Sequence, residues 1–407
     1  MGDTLKPRDP GEVEQAVAWA VAEKRPLSVI GRGSKRAIGR PEQAEFTLDL
    51  SGLTGITLYE PEELVLSARA GTPLAEIERA LAEKGQELAF EPADLGPLFG
   101  AGPDGATLGG VIAANLSGPR RIKAGAARDH VLGVQAVSGR GEAFKSGGRV
   151  VKNVTGYDLA KGLAGSWGTL AVMTEVTLKV LPAAETSASV ILTGLAAETA
   201  TKAMSAAMGS ACDVAGAAHL PRPAAACSEV EAVSAAGQSV TALRLEGFGP
   251  SVAARLETLR ELLKPFGSAG LIETEPSRQF WSEIRDVRCF STDPSRPLWR
   301  LSVPPGSGAA VANRILDAVD GECLFDWAGG LIWLELAASK DASEPVVRGA
   351  LTGTDGHATL IRAEPSVRAA VPVFQPQALA LAALTRRLKQ GFDPAGILNP
   401  GRMYAGV

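Results

Sequence analysis

The sequence predicts an α+β protein of two domains, and three observations predict it. At 407 residues the chain is longer than one ordinary hydrophobic core supports. Strand-like and helix-like segments are mixed throughout, and they alternate regularly after Pro182. Seventeen of the 46 glycines crowd between Gly96 and Gly168, where even spreading would put about eight. Glycine is favoured where backbone turns through positive φ or approaches a ligand closely, so the crowding suggests a site built from main chain. A loop-rich region of tight turns would look the same at this level.

The elements follow in order. Residues 11–24 space Val13, Ala16, Val17, Ala20 and Val21 as one face of a helix that Pro26 ends. Leu27 to Ile30 is a short apolar strand running into the turn Gly31-Arg32-Gly33-Ser34-Lys35. Phe46–Leu50, Ile56–Tyr59 and Leu64–Ala70 read as further strands. A helix then runs to about Lys84, with Thr72 as N-cap and Pro73 at its first position. Gly109 to Asn115 is a short helix whose small residues suit close packing against a flat ligand or another backbone. Val131–Val137 is a buried strand, Gly139–Glu142 a hairpin turn, and Thr169–Leu181 strands. After Pro182, strands at 191–194, 239–246, 298–303 and 331–337 alternate with helices at 196–208, 251–264, 308–319 and 343–351. That alternation suggests α+β sheets, with room for two related βαβ-like halves. Pro223–Ala226 and Asp293–Pro297 read as surface loops, and Pro376–Gln390 as a helix before the tail.

Composition excludes several classes. A net charge of −4 argues against a general nucleic-acid binder. No long uncharged apolar run and no apolar leader are present, so the expectation is a cytoplasmic protein without a transmembrane segment. Cys212, Cys227, Cys289 and Cys323 lie far apart, which speaks against an iron–sulfur cluster or zinc knuckle in this chain. His130, His219 and His357 form no metal-ligand spacing, so no metal is expected.

Charge then points to a ligand. Residues 116–152 hold Arg120, Arg121, Lys123, Arg128, Arg140, Lys145, Arg149 and Lys152 against only Asp129 and Glu142. A glycine-rich, basic segment suits a phosphate-bearing ligand, and a solvated face or docking surface is the alternative. The common phosphate motifs are disfavoured. Gly31-Arg32-Gly33 follows a strand, but Ser34 to Pro41 does not read as the helix a Rossmann fingerprint needs, and no G-K-[ST] triplet exists. Trp281 and Arg285 stand one helical turn apart, and an arginine there could grip a carboxylate or simply stack at the surface. His357 is a candidate proton acceptor or a satisfied histidine at a strand start.

Six blocks occur in one order: Gly31-Arg32-Gly33-Ser34; Ala106 to Gly118; Arg128-Asp129; Lys152 to Leu159; Gly165 to Leu170 with Thr174-Glu175; and Asp393 to Met403. Together they resemble the vanillyl-alcohol oxidase type of flavoproteins with a PCMH-type FAD-binding domain, and within it the FAD-binding subunits of bacterial glycolate oxidases. The resemblance runs from about residue 5 to 182 and resumes at the tail. It implies a two-lobed FAD domain over 1–182, an α+β cap domain over 183–375, and a C-terminal segment 376–407 returning to the FAD domain.

By this resemblance Gly31, Arg32, Gly33, Ser34 and Lys35 form one FAD loop. Thr107, Gly109, Gly110, Ala113, Asn115 and Gly118 form the second, and Gly168 to Val172 line the cofactor. Many relatives carry a flavin-linked histidine where this chain has Lys35, so non-covalent FAD is expected. His357, with Arg285 or Arg288, is the candidate catalytic set in the cap. The resemblance implies oxidation of glycolate, or another small 2-hydroxy acid, to its 2-oxo product, the hydride passing from the α-carbon to flavin N5. It also implies a larger flavin subunit performing that step and an iron–sulfur subunit taking the electrons, with any membrane contact made through partners. A self-sufficient 2-hydroxy acid dehydrogenase and a structural subunit with an unused flavin site are the alternatives.

Overall fold

The structure, a computed structural model, describes residues 3–149 and 156–407. The first lobe is a three-stranded parallel sheet covered by one helix. Strand β1 (Thr4–Leu5) pairs with β3 (Phe46–Asp49), which pairs with β2 (Leu27–Ile30). Helix α1 (Pro10–Ala22) opens with Asp9 accepting from the Glu12 amide at 3.0 Å, with Pro10 in its first turn. It buries Val13, Val17 and Ala20, spaced i, i+4 and i+7, against Leu27, Leu48, Val137, Val172, Ile397 and Leu398.

The second lobe is an antiparallel sheet of five strands in the order β4-β5-β9-β7-β8. These are β4 (Ile56–Glu60), β5 (Val65–Arg69), β7 (Val131–Ser138), β8 (Ala143–Gly147) and β9 (Ala171–Lys179), with α2 (Leu74–Ala82) and β6 (Gln86–Glu87) following β5. Helices α3 (Leu108–Ala114), α4 (Arg121–Ala124) and α5 (Ala127–His130) lead into β7, and α6 (Leu159–Leu163) leads into β9. Strand β10 (Leu181–Pro182) pairs back on β6 and ends this half.

The expected N-cap of α2 differs. Pro73 holds that position, and the buried Thr72 hydroxyl bonds both the amide and the carbonyl of Gly55 instead. His130 is buried against Phe90, its Nε2 3.0 Å from the Ala124 carbonyl. Lys152 and the rest of Val151–Thr155 lie outside the described residues.

The cap half is one eight-stranded antiparallel sheet, β14-β11-β13-β12-β16-β17-β15-β18. Its first unit runs β11 (Thr186–Thr193), α7 (Ala197–Met208), β12 (Gly216–Leu220), the short α8 (Arg222–Ala226) and α9 (Glu231–Ser234), β13 (Val240–Gly247), α10 (Gly249–Leu263) and β14 (Ala269–Ile272). Helix α11 (Thr274–Arg285) links it to the second unit. That unit runs β15 (Leu298–Ser302), α12 (Gly308–Leu316), β16 (Gly321–Asp326), β17 (Leu331–Leu336), α13 (Glu344–Gly349) and β18 (His357–Arg362). Each unit is a βαββαβ fold whose strands order 4-1-3-2, and the two meet edge to edge where His219 of β12 pairs with Phe325 of β16. The two halves anticipated from the alternation are therefore present as one continuous sheet. The segment 223–226, read as a loop, is instead the helix α8. Pro223 stands in its first turn, and Ala224 and Ala225 are buried.

Helices α14 (Pro365–Ala370) and α15 (Leu379–Phe392) bring the chain back to the first half. Lys389 there is buried, its ammonium donating to Asp393 at 2.8 Å and to the carbonyls of Thr169 and Leu398 at 2.7 and 2.9 Å. Gly139 permits this docking, because a Cβ there would overlap the Asp393 side chain.

Candidate functional site

Between the two lobes of the first half lies an open cleft. Three segments wall it. The turn 31–36 leaves the C-terminal end of β2, the first turn of α3 faces it, and Trp167 to Met173 lead into β9. Gly31 packs so close to Thr107 that a Cβ would overlap its hydroxyl, so only glycine lets the two segments meet. Among the described residues, the amides of Arg32, Gly33, Ser34 and Lys35 have no hydrogen-bond acceptor. They form a run of free donors beside the cleft, which suits an anion. In α3 the amides of Leu108 and Gly109 are already bonded to Thr72 and Ala70, at 3.0 and 2.8 Å, which leaves the Gly110 amide free.

Positive charge completes the cradle. The Lys35 ammonium is buried and has no partner, and burial pushes it down to about 8, opposed by Asp94. An orphaned buried cation costs stability unless a ligand supplies the counter-charge. Arg402 lies against the Trp167 ring at 5.4 Å and donates to the Lys35 carbonyl at 2.9 Å. Asn399 accepts from the Val29 amide at 2.7 Å and donates to the Trp167 carbonyl at 2.8 Å. The tail thus clasps two of the three walls. A diphosphate would meet amides and a cation on one side, and its organic ends would meet Leu50, Ala70, Ala171 and Met173 on the other. These residues fit a dinucleotide such as FAD.

Most expected cofactor residues converge here. Gly31, Arg32, Gly33, Ser34, Lys35, Thr107, Gly109, Gly110, Ala113 and Gly168 all line the cleft. Asn115, Gly118 and Val172 do not. Val172 is packed into the core under α1, and its neighbours Ala171 and Met173 face the cleft instead, as strand alternation requires. Gly118 sits under the cap, where a Cβ would lie 2.6 Å from the Glu91 carbonyl. Nor does the basic run converge on the cleft. Arg120 is enclosed by Glu87, Glu91 and Glu246, Lys123 pairs with Asp213, and Arg140 donates to the Gly391 carbonyl. These cations hold the two halves and the tail together.

A second, wider cleft of about 770 Å³ lies under the cap sheet, and Trp167 lines both. It contains His357 with Thr359, Ser302, Arg300 and Arg121, and also Asn115. Partial burial and the charges of Arg300 and Arg121 hold His357 below its usual value, so its ring is neutral and can accept a hydrogen bond at neutral pH. Arg285 is not in this cleft. Its Nε and Nη2 both reach Asp286 at 2.8 Å, and the Asp286 carboxylate also accepts from the Asp94 amide at 2.9 Å. Arg121, Arg128 and Arg300 line the His357 cleft, and the sequence reading passed over Arg300. A lone arginine in an apolar strand carries no spacing signal, and Arg402, Asn399 and Trp167 were legible only as parts of motif blocks.

Comparison with known proteins agrees with this geometry. A family described as an FAD binding domain matches residues 4–147. The glycolate oxidase subunit GlcE of Escherichia coli strain K12 is 37% identical over 392 residues, covering 96% of this chain and 96% of its own. Glycolate oxidase subunit GlcD of Bacillus subtilis strain 168 is 29% identical over 188 residues, 46% of this chain and 38% of its own. In fold, p-cresol methylhydroxylase superposes with a TM-score of 0.71 at 14% identity, over 98% of this chain and 88% of that one. The chain is an FAD-dependent oxidoreductase, and it belongs to the glycolate oxidase subunit GlcE family.

Proposed function

We propose that this chain is the FAD-binding subunit of a glycolate oxidase complex. It supports oxidation of glycolate to glyoxylate and sends the electrons to partner subunits, a larger flavin subunit and an iron–sulfur subunit. The observation that carries the reading is the cleft between the lobes, where free amides of residues 32–35 and 110 and an orphaned Lys35 ammonium face one space. FAD, when bound, supplies the two-electron acceptor. The protein's part is to hold the diphosphate on main-chain N–H groups, balance its charge with Lys35, and keep the 31–36 turn in register with the Trp167 wall through Asn399 and Arg402.

Helix α15 supports assembly with partners. It exposes Leu379, Leu381, Leu384 and Leu388 and buries only Lys389, an apolar stripe of the kind a partner surface covers. No helix among the described residues is long and apolar enough to cross a membrane.

The test is Gly110→Asp in the reconstituted complex. Its new side chain would point an anion at the free amide, and a Cβ at Gly110 comes no closer than 3.2 Å to a neighbour, whereas one at Gly109 would lie 2.8 Å from Ala70. Assembly should persist while this subunit's flavin and the complex's glycolate-dependent dye reduction are lost. Full activity with the flavin site emptied would favour a structural subunit. A second reading, oxidation by this chain alone, is favoured by His357 and Arg300 sharing the cleft beside Trp167. Steady glycolate turnover by the isolated chain with an artificial acceptor would establish it.

A further inference from the structure

One loop joins the cap to the FAD cleft. Between β6 and α3 the chain of the FAD-binding half crosses to the cap as residues 91–106, with a single helical turn at Pro97–Phe99. Its apolar side chains pack into the cap, where Leu95 and Leu98 are fully buried in one cluster with Phe280, Ile284, Val287 and Phe290. Arg362 of β18 donates to the Leu98 carbonyl at 3.0 Å and to the Phe290 carbonyl at 2.6 Å. The Asp94 amide donates to Asp286, just past the end of α11, at 2.9 Å. The next residue, Val287, is buried and left-handed, φ 54°, a conformation that a β-branched residue holds only when its surroundings enforce it. The cap thus grips the loop at the point where its own backbone is strained.

The other end of the loop reaches the FAD turn. Asp94 closes the loop on itself, its carboxylate accepting from the Gly96 amide at 3.1 Å and the Asp104 amide at 2.7 Å. Asp104 is left-handed, φ 61°, and its carbonyl accepts from Arg32 Nη1 at 3.3 Å. Gly105 then packs on Ser34, where a Cβ would lie 3.3 Å from the Ser34 Cβ. Asp94 is also the acid whose charge opposes the effect of burial on the orphaned Lys35 ammonium. Arg402 from the tail acts on Lys35 in the other direction, and Arg36 of the same turn is paired with Glu42 at 2.7 Å. Around the loop itself the neighbouring charges are Glu78 of α2, Asp104, Asp286 and Arg285.

We propose that residues 91–106 are a strap through which the cap sets the FAD cradle, and that Asp286 is a positioning residue for the cofactor. Asp286 does not line the cleft between the lobes. It holds the Asp94 amide, and the Asp94 carboxylate holds Asp104. Asp104 and Gly105 in turn hold Arg32 and Ser34, whose own amides are among the free donors of the cradle. The cap therefore acts on cofactor affinity from outside the cleft, by fixing the turn that carries the donors and the acid that favours a charged Lys35. The inference rests on the FAD reading of the cleft.

The test is fluorescence titration of the flavin-free full chain with FAD between pH 7 and pH 10. Wild-type affinity should hold to about pH 8 and then fall, by at most about tenfold per pH unit, as the Lys35 ammonium loses its proton. Lys35→Met should show no such fall. Asp94→Asn removes the acid that favours the charged form, so its fall should begin at lower pH. Asp286→Ala should weaken FAD roughly tenfold at pH 7 and move the fall the same way. The effects of Asp94→Asn and Asp286→Ala should not add, because one acts through the other. Asp94 is only half-buried, so its variant remains informative if Asp286→Ala folds poorly. An Asp286→Ala chain with a lowered melting temperature but the wild-type affinity and pH profile would overturn the proposal, and so would a wild-type profile in Asp94→Asn. A wild type that binds no FAD at any pH would overturn the FAD reading and this inference with it.

Discussion

Asn399 and Trp167 lie 232 residues apart in sequence and are joined by one buried hydrogen bond, the Asn399 amide to the Trp167 carbonyl at 2.8 Å. The same side chain accepts from Val29, so a single residue of the tail holds β2 and the approach to β9 at a fixed separation beside the cleft between the lobes. Its backbone is left-handed, φ 41°, which asparagine tolerates better than most residues.

Asn399→Ala should therefore loosen both walls. Two buried hydrogen bonds go, and the left-handed backbone loses a residue suited to it. A loss of about 2–4 kcal/mol in unfolding free energy is expected. FAD retention through gel filtration should fall with it. Unchanged denaturation and flavin content would show that the tail is not the clasp.

Lys35→Met should move two quantities in opposite directions. Removing an unpartnered buried ammonium should stabilise the chain without flavin by about 1 kcal/mol or more. FAD affinity should drop roughly 10- to 100-fold, because the diphosphate loses a charge-assisted donor. Denaturation of the flavin-free chain and fluorescence titration with FAD measure the two. Loss of stability with FAD binding intact would mean that Lys35 serves the fold alone.

His219 provides a pH signature in the cap. It is buried, its Nδ1 lies 2.9 Å from the Thr241 hydroxyl, and burial pushes it down from 6.5 to about 4. Between those values the unfolded chain takes up a proton that the folded chain refuses. Stability should be flat with respect to this group above pH 6.5 and should fall by roughly 3 kcal/mol as pH drops to 4. His219→Gln should flatten that part of the stability curve. An unchanged slope would assign the acid sensitivity elsewhere.

Leu384→Glu with Leu388→Glu tests the exposed face of α15. Both side chains are about half exposed, so melting of the isolated chain should change little. Co-purification with the partner subunits should fall at least tenfold if that stripe is an interface. Full recovery of the complex would place the interface on another surface.

Much of this was legible in the sequence, and the reasons differ by element. The α1 face was readable because Val13, Val17 and Ala20 keep helical spacing under one N-cap. The two loops that wall the cleft were readable through the resemblance, and Gly31 and Gly109 in them answer a need for close approach. Strands β12 and β16 were not legible, because buried runs such as Gly216–Leu220 show no alternation. The basic run was legible as charge but not as destination. Arg120 and Arg121 are adjacent, yet one is locked among three glutamates and the other lines the cleft under the cap sheet. That divergence depends on where the cap descends, 100 residues and more further along the chain.

The central claim is that this chain holds FAD, without a covalent link, between its two lobes. Its most direct test is the visible absorption spectrum of the purified full chain, taken before and after acid precipitation. Flavin bands that pass wholly into the supernatant, and that are missing from the Gly110→Asp variant, are the expected result. A folded chain that stays colourless after incubation with FAD, or flavin that remains in the acid pellet, would contradict the account.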